Sequence, residues 1–369
     1  MSEAKNIELL EAAEHVDLER VRALLADGAS AAFVYDPPGT WGSKDRRSAL
    51  HCALKSRSES GEVWFSVVEA LVNANADVNA SMASYDWRGC GEEQTAFDMV
   101  LTRALRDSRL LEMFLTAGAD ANTKSVREVH SMRTDGTSTS YVLHKAVAGE
   151  DLEVARALLD ASADVNSVAS DIFDNERGFN QHTEETALHI ACRLGSVGMV
   201  ALLIAKGAQL NAVRKELIQE EAGLESPTDD PREEGFVSSV VCVPVEETAL
   251  HVAIGIRNTD IMTVLVCSGA HRDIPKVRGR DAISPEELCG GDEALLRALR
   301  AEWSPEQHHL FPPDVRERVK AALLIAQRQQ WNLPDTVLFQ AFAMASGLTE
   351  ATRNEDQVPP PPALMRVST

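Results

Sequence analysis

Ser48-Ala49-Leu50-His51, Tyr141-Val142-Leu143-His144, Thr186-Ala187-Leu188-His189 and Thr248-Ala249-Leu250-His251 are four versions of one phrase. Small and apolar residues follow each, then a second apolar run. A second phrase recurs between them: Ala76-Asp77-Val78-Asn79, Gly118-Ala119-Asp120-Ala121-Asn122, Ala163-Asp164-Val165-Asn166 and Gly207-Ala208-Gln209-Leu210-Asn211. Self-similarity at this scale decides architecture before any local reading does. Two short apolar helices cannot bury their faces alone, but stacked copies can.

The pattern resembles the ankyrin repeat, a β-turn followed by two antiparallel helices. The resemblance implies a mainly α fold, an ankyrin-repeat αα-solenoid whose surface binds other proteins. It also implies that the Thr hydroxyl and His ring of the Leu-His phrase join a hydrogen-bond network between successive units. His51, His144, His189 and His251 therefore read as structural residues. The third unit departs from the pattern with Thr95-Ala96-Phe97-Asp98. An ionised carboxylate accepts hydrogen bonds but donates none, so that junction is expected to be altered locally and still to hold.

Seven units are expected over residues 1–304, the terminal ones degenerate. The first spans about 5–28, and fuller units begin near Ser48, Thr95, Tyr141, Thr186 and Thr248. The last runs from Asp281, with Ser284-Pro285 as a helix start. From His51 to Asp98 is 47 residues, then 46 to His144, 45 to His189 and 62 to His251. A period of about 33 leaves surpluses of about 12 to 29 residues. They fall between the Asn phrase and the next helix, where elongated β-hairpin fingers are expected. In residues 124–142 the alternation around Asp135-Gly136 reads as a hairpin turn. The stretch from Phe236 to Val243 reads as a strand, and about 219–235 reads as mobile. Residues 212–247 hold ten carboxylates against three basic residues. This is either a solvated charge run or a dock for a basic partner.

Residues 305–348 are expected to form a C-terminal helical pair, with an amphipathic first helix at 314–328 and a second at 335–346. It either caps the array or recruits another protein. Leu333-Pro334 followed by Val337-Leu338 faintly resembles the boxes by which some ankyrin proteins recruit a ubiquitin-ligase scaffold. Residues 349–369, with Pro359–Pro362, are expected to be disordered.

Composition narrows the function. The 369 residues carry a net charge of −21, which disfavours nucleic acid and anionic membranes and favours a protein partner with a basic surface. None of the six cysteines forms a CxxC pair. No secretory-type apolar stretch opens the sequence, and cytosol or nucleus is the expected setting. There is no phosphate-binding glycine loop, zinc-protease motif or nucleophile elbow, so no catalytic, cofactor or metal residues are assigned. The expectation is a non-enzymatic interaction module or scaffold. The alternative is a substrate-recognition adaptor of a ubiquitin ligase acting through the C-terminal segment. Aromatics are only 5% of the chain, yet several fall in the inserts. Tyr35, Trp41, Tyr85, Trp87, Phe173 and Phe179 are the candidate partner-binding residues; the competing role is packing of finger on finger.

Overall fold

Small residues start each unit. Ala49, Ala96, Val142, Ala187 and Ala249 open five helices and are fully buried, as are the Leu-His leucines that follow them. The structure is a computed structural model that describes residues 2–36, 45–56, 61–85, 90–104, 108–130, 134–175, 180–222 and 239–301. The expected helical pair at 305–348 and the tail at 349–369 lie outside the described residues.

The first helices of the units are α1 (Ser2–Glu14), α3 (Ala49–Lys55), α5 (Ala96–Ala104), α7 (Val142–Ala148), α9 (Ala187–Leu194), α11 (Ala249–Gly255) and α13 (Pro285–Leu288). Their second helices are α2 (Leu18–Ala26), α4 (Gly61–Asn73), α6 (Ser108–Thr116), α8 (Leu152–Asp160), α10 (Val197–Ala205), α12 (Thr259–Cys267) and α14 (Glu293–Leu299). First helices pack along one row and second helices along another, with one continuous apolar core between. Polar N-caps start the second helices: Asp17, Asp151, Asn258 and Asp292 each accept from backbone N–H groups of the first turn. In the third unit Phe97 replaces the usual leucine and stacks on Phe114, centroids 6.1 Å apart.

Hairpins join the units: β1 (Val34–Tyr35) with β2 (Asp45–Ser48), β3 (Ser81–Tyr85) with β4 (Gly91–Thr95), and β5 (Lys124–His130) with β6 (Thr134–Tyr141). Then come β7 (Val168–Asn175) with β8 (Asn180–Thr186), β9 (Val213–Ala222) with β10 (Ser239–Thr248), and β11 (Lys276–Arg278) with β12 (Asp281–Ile283). Each hairpin also pairs with its neighbour, so all twelve strands form one antiparallel sheet in chain order. The description as mainly α is thus corrected: a twelve-stranded meander runs beside the helices. β9 reaches Ala222, so the part of the acidic insert expected to be mobile begins as strand; residues 223–238 lie outside the described residues.

A second correction concerns Asp135-Gly136. Both lie inside β6, opposite His130 and Val129, and not at the turn. Gly136 also faces Phe173 of the next finger. A Cβ there would overlap the Phe173 ring and stand 2.8 Å from the Ile172 carbonyl oxygen. The glycine serves close approach of two strands.

Two sets of polar side chains line the junctions between units. The first uses the Asn phrase. Asp77, Asp120 and Asp164 accept from the backbone N–H two residues on and hold the turn. Each asparagine then reaches the following unit. Asn79 donates to Gly118 O at 2.9 Å and accepts from Asp120 N at 2.8 Å. Asn122 does the same with Ser162 and Asp164, and Asn166 with Gly207 and Gln209. Asn211 accepts from His271 N across 60 residues, at 2.9 Å.

The second set is the histidine row. Nδ1 of His51, His189 and His251 accepts from the backbone N–H of Ser48, Thr186 and Thr248, at 3.3, 3.3 and 2.9 Å. The same ring atoms lie 2.7–2.9 Å from the neighbouring hydroxyls. An N–H is an obligate donor, so Nδ1 is bare and the proton sits on Nε2. His189 Nε2 donates it to Ala212 O at 3.1 Å, at the base of the next finger. His144 keeps the buried place but has Tyr141 where the hydroxyl should be; the two rings meet at 5.7 Å. Burial lowers the pKa of His51, His144 and His189 to about 4, against carbonyl contacts that raise it.

The pH dependence follows. These histidines are neutral when folded but titrate near 6.5 when unfolded, so their contribution is intact above pH 6.5 and lost as pH falls toward 4. Each costs on the order of 3 kcal/mol across that window. Urea denaturation at a series of pH values reads the slope. His189→Ala should cost about 1–3 kcal/mol at pH 7 and, near pH 5, reduce proton uptake on unfolding by about one. An unchanged slope would remove His189 from this role.

Candidate interaction surface

The finger sheet has two faces, and register assigns residues to each because cross-strand partners share a face. One carries Glu92, Arg127, Ser138, Asp171, Thr183, Glu216 and Val245 in a single cross-strand row. Nearer the finger bases the same face carries Glu185, Arg214, Glu247 and Lys276. These form a chain of ion pairs over three fingers. Arg214 bonds Glu216 and Glu247 at 2.7 Å and Glu185 at 3.3 Å; Lys276 bonds Glu247 at 2.6 Å. Arg193 reaches Glu185 from α9 at 2.8 Å, so this face adjoins the row of first helices. Burial opposes ionisation of Glu247, but Lys276 and Arg214 outweigh it and hold its carboxyl below the usual range. Two carboxylates of the acidic insert, Glu216 and Glu247, are thus engaged within the protein and not offered to a partner.

Asp98 has a partner the sequence reading missed. Its carboxylate is fully buried, and Lys145 Nζ of the next unit donates to it at 2.7 Å. Burial pushes the Asp98 carboxyl up and Lys145 pulls it back, with the net direction upward. Lys145 occupies the place of Ile190 and Val252 in the neighbouring units, so the two departures from the repeat compensate each other. The clue was legible: both polar substitutions sit 47 residues apart, one unit's length here.

The candidate aromatics divide. Tyr35 in β1 is half-buried against the core. Phe173 lies over Gly136 and joins two fingers. Tyr85 ends β3, while Trp41, Trp87 and Phe179 lie outside the described residues. On the first-helix row, Leu194 and Ile256 stand at matching places of successive units and stay 37% and 40% exposed. None of the six cysteines is in a disulfide; Cys52, Cys192 and Cys289 are buried. Among the described residues no cluster of three or more His, Cys, Asp or Glu could hold a metal ion. No described helix is long and apolar enough to cross a membrane.

Residues 99–214 match the family of ankyrin repeats, in three copies. This stretch of the chain thus contains ankyrin repeats. Among solved structures it is similar to the ankyrin repeat domain of Bcl-3, described as a unique member of the IkappaB protein family. That match has 22% identity, covers 79% of this chain and 97% of the other, and has a TM-score of 0.46. It is also similar to an ankyrin repeat domain from Acinetobacter baumannii AYE (22% identity, 55% of this chain and 83% of that one, TM-score 0.35). The human ASB11 ankyrin repeat domain matches at 19% identity over 80% of this chain and 98% of that one, with a TM-score of 0.43. No curated protein matches the chain.

Two substitutions test the junctions. Lys145→Met leaves the Asp98 carboxylate buried without its ammonium and should cost about 3–5 kcal/mol in urea denaturation. Asp98→His combined with Lys145→Ile copies the cross-unit pair His144–Ile190 of the next junction and should recover most of that loss. Additive losses would rule out the compensation. Gly136→Ala should cost about 1–3 kcal/mol by overpacking and loosen hydrogen-exchange protection of β6 and β7; unchanged protection would refute the close-approach role.

Proposed function

We propose that the chain is a non-enzymatic scaffold that binds a protein partner through its fingers and the adjoining concave face, the side on which Arg193 meets the sheet. Ankyrin repeats are generally protein–protein interaction modules. The observation that carries the finer reading is the lateral pairing of the fingers. Loops that would cost ordering entropy on binding are already fixed as strands, which lowers that cost. Exposed Leu194 and Ile256 give the helix side apolar anchors. Tyr35, Trp41, Tyr85, Trp87, Phe173 and Phe179 remain candidates on the finger side. A reducing compartment, cytosol or nucleus, is part of this proposal.

The adaptor alternative rests on the Leu333-Pro334 and Val337-Leu338 pattern in the C-terminal segment. Affinity purification of the full chain and of a chain ending at 304, followed by identification of captured proteins, separates the two. Under the scaffold reading both forms retain the same partners. Loss of ubiquitin-ligase scaffold proteins on truncation, with other partners kept, would establish the adaptor instead. Leu194→Asp should reduce capture at least tenfold with little change in melting; full capture would remove the concave face from the site.

A further inference from the structure

The sheet's second face differs from the first in how its charges are met. A single row crosses it through Glu93, Val126, Thr139, Ser170, Glu184, Lys215 and Glu246. Six strand spacings make this row about 29 Å wide. Glu128 and Ile172 stand in the next row outward, while Val168 and Val213 stand nearer the base. Val168, Ile172 and Val213 are 46%, 39% and 44% exposed. β-branched side chains on a sheet face are ordinarily covered, yet these three stay exposed.

Charge says what covers it. On the helix-side face, Glu92, Glu185, Glu216 and Glu247 all meet Arg or Lys of the chain. On the second face, Glu93, Glu128 and Glu246 have no lysine or arginine at ion-pair distance among the described residues. Glu128 meets only His130, at 3.9 Å. Glu184 is met by Lys215 at 3.6 Å, a partly exposed and screened pair like Glu92–Arg127 on the first face, so the contrast lies in Glu93, Glu128 and Glu246. The face therefore combines an apolar centre with the carboxylates of Glu93, Glu128 and Glu246, which pair with no lysine or arginine among the described residues; its other cations, Arg46 and Lys124, lie on β2 and at the base of β5.

We infer that this second face of the finger sheet, centred on Val168, Ile172 and Val213, is a docking surface for a protein segment that presents lysine or arginine around aliphatic side chains. The inference rests on the reading of the chain as a protein-binding array and adds a face to it. A second copy of this acidic chain is disfavoured by like charge. The basic groups supply steering and register, and the apolar centre supplies the buried contact.

A synthetic twelve-residue peptide of alternating Lys and Val, with a Glu–Val peptide of equal length, provides the probe. Fluorescence anisotropy with the full chain should show binding of the first and at least tenfold weaker binding of the second. Ile172→Asp, and separately the pair Glu128→Lys and Glu246→Lys, should each weaken binding at least tenfold. Glu112→Lys, exposed on α6, should change it less than twofold. Melting curves confirm that each variant folds, and the exposed charge pair keeps the test valid if Ile172→Asp does not. Binding lost with Leu194→Asp but kept in both sheet-face variants would overturn the inference and leave the concave-face reading standing. No binding of the Lys–Val peptide, or equal binding of both peptides, would also overturn it. So would a dimer in sedimentation that Ile172→Asp dissociates, because the occupant would then be a second copy.

Discussion

Two lengths must agree for this architecture to exist. Packed helices sit about 8–10 Å apart, and two strand spacings in a sheet come to about 9.6 Å. One hairpin per helix pair therefore advances along the array at the same rate as the helices. The asparagine side chains hold the agreement in place: each bridges one turn to the next at 2.7–3.4 Å, whether the intervening finger is short or long. Finger length is then free to vary, since the bases stay in register while the tips extend.

The same constraint explains the chemistry at the junctions. Neighbouring units approach so closely that polar groups between them lose water and must find partners inside the protein. His189 does this with one bare nitrogen on Thr186 and one protonated nitrogen on Ala212 O, and it is neutral at physiological pH. Asp98 does it with a charge, and so requires the Lys145 ammonium from the following unit. The row of ion pairs around Arg214 is the partly solvated version of the same requirement.

Much of this was legible in the sequence, for definite reasons. The Leu-His and Asp-Val-Asn phrases recur because one backbone geometry recurs, so the units and the position of the inserts could be read directly. The joining of fingers could not. Pairing between β6 and β7, or β8 and β9, links residues about 30 to 40 apart and leaves no local pattern, only a consequence of equal spacing. Asp135-Gly136 was misread because glycine serves two purposes, positive φ in turns and the absence of a Cβ in close contacts, and the dipeptide alone does not say which. Glu216 and Glu247 looked free for a partner because a charge count over residues 212–247 omits cations such as Lys276 that arrive from the next finger. Of the six candidate aromatics, Phe173 is the one whose local signal was most ambiguous, since finger packing and partner contact ask for the same residue type.

A stack joined only through its helices can flex like a spring, each contact opening slightly on one side. Here every contact is spanned twice, by side-chain packing in the helical rows and by main-chain pairing in the meander. Bending that relieves one row must stretch or shear the other. Described in mechanical terms, the protein is a beam with two flanges, and the asparagines are its web. Load or displacement introduced at one finger is carried along the sheet to its neighbours without first being absorbed by a soft joint.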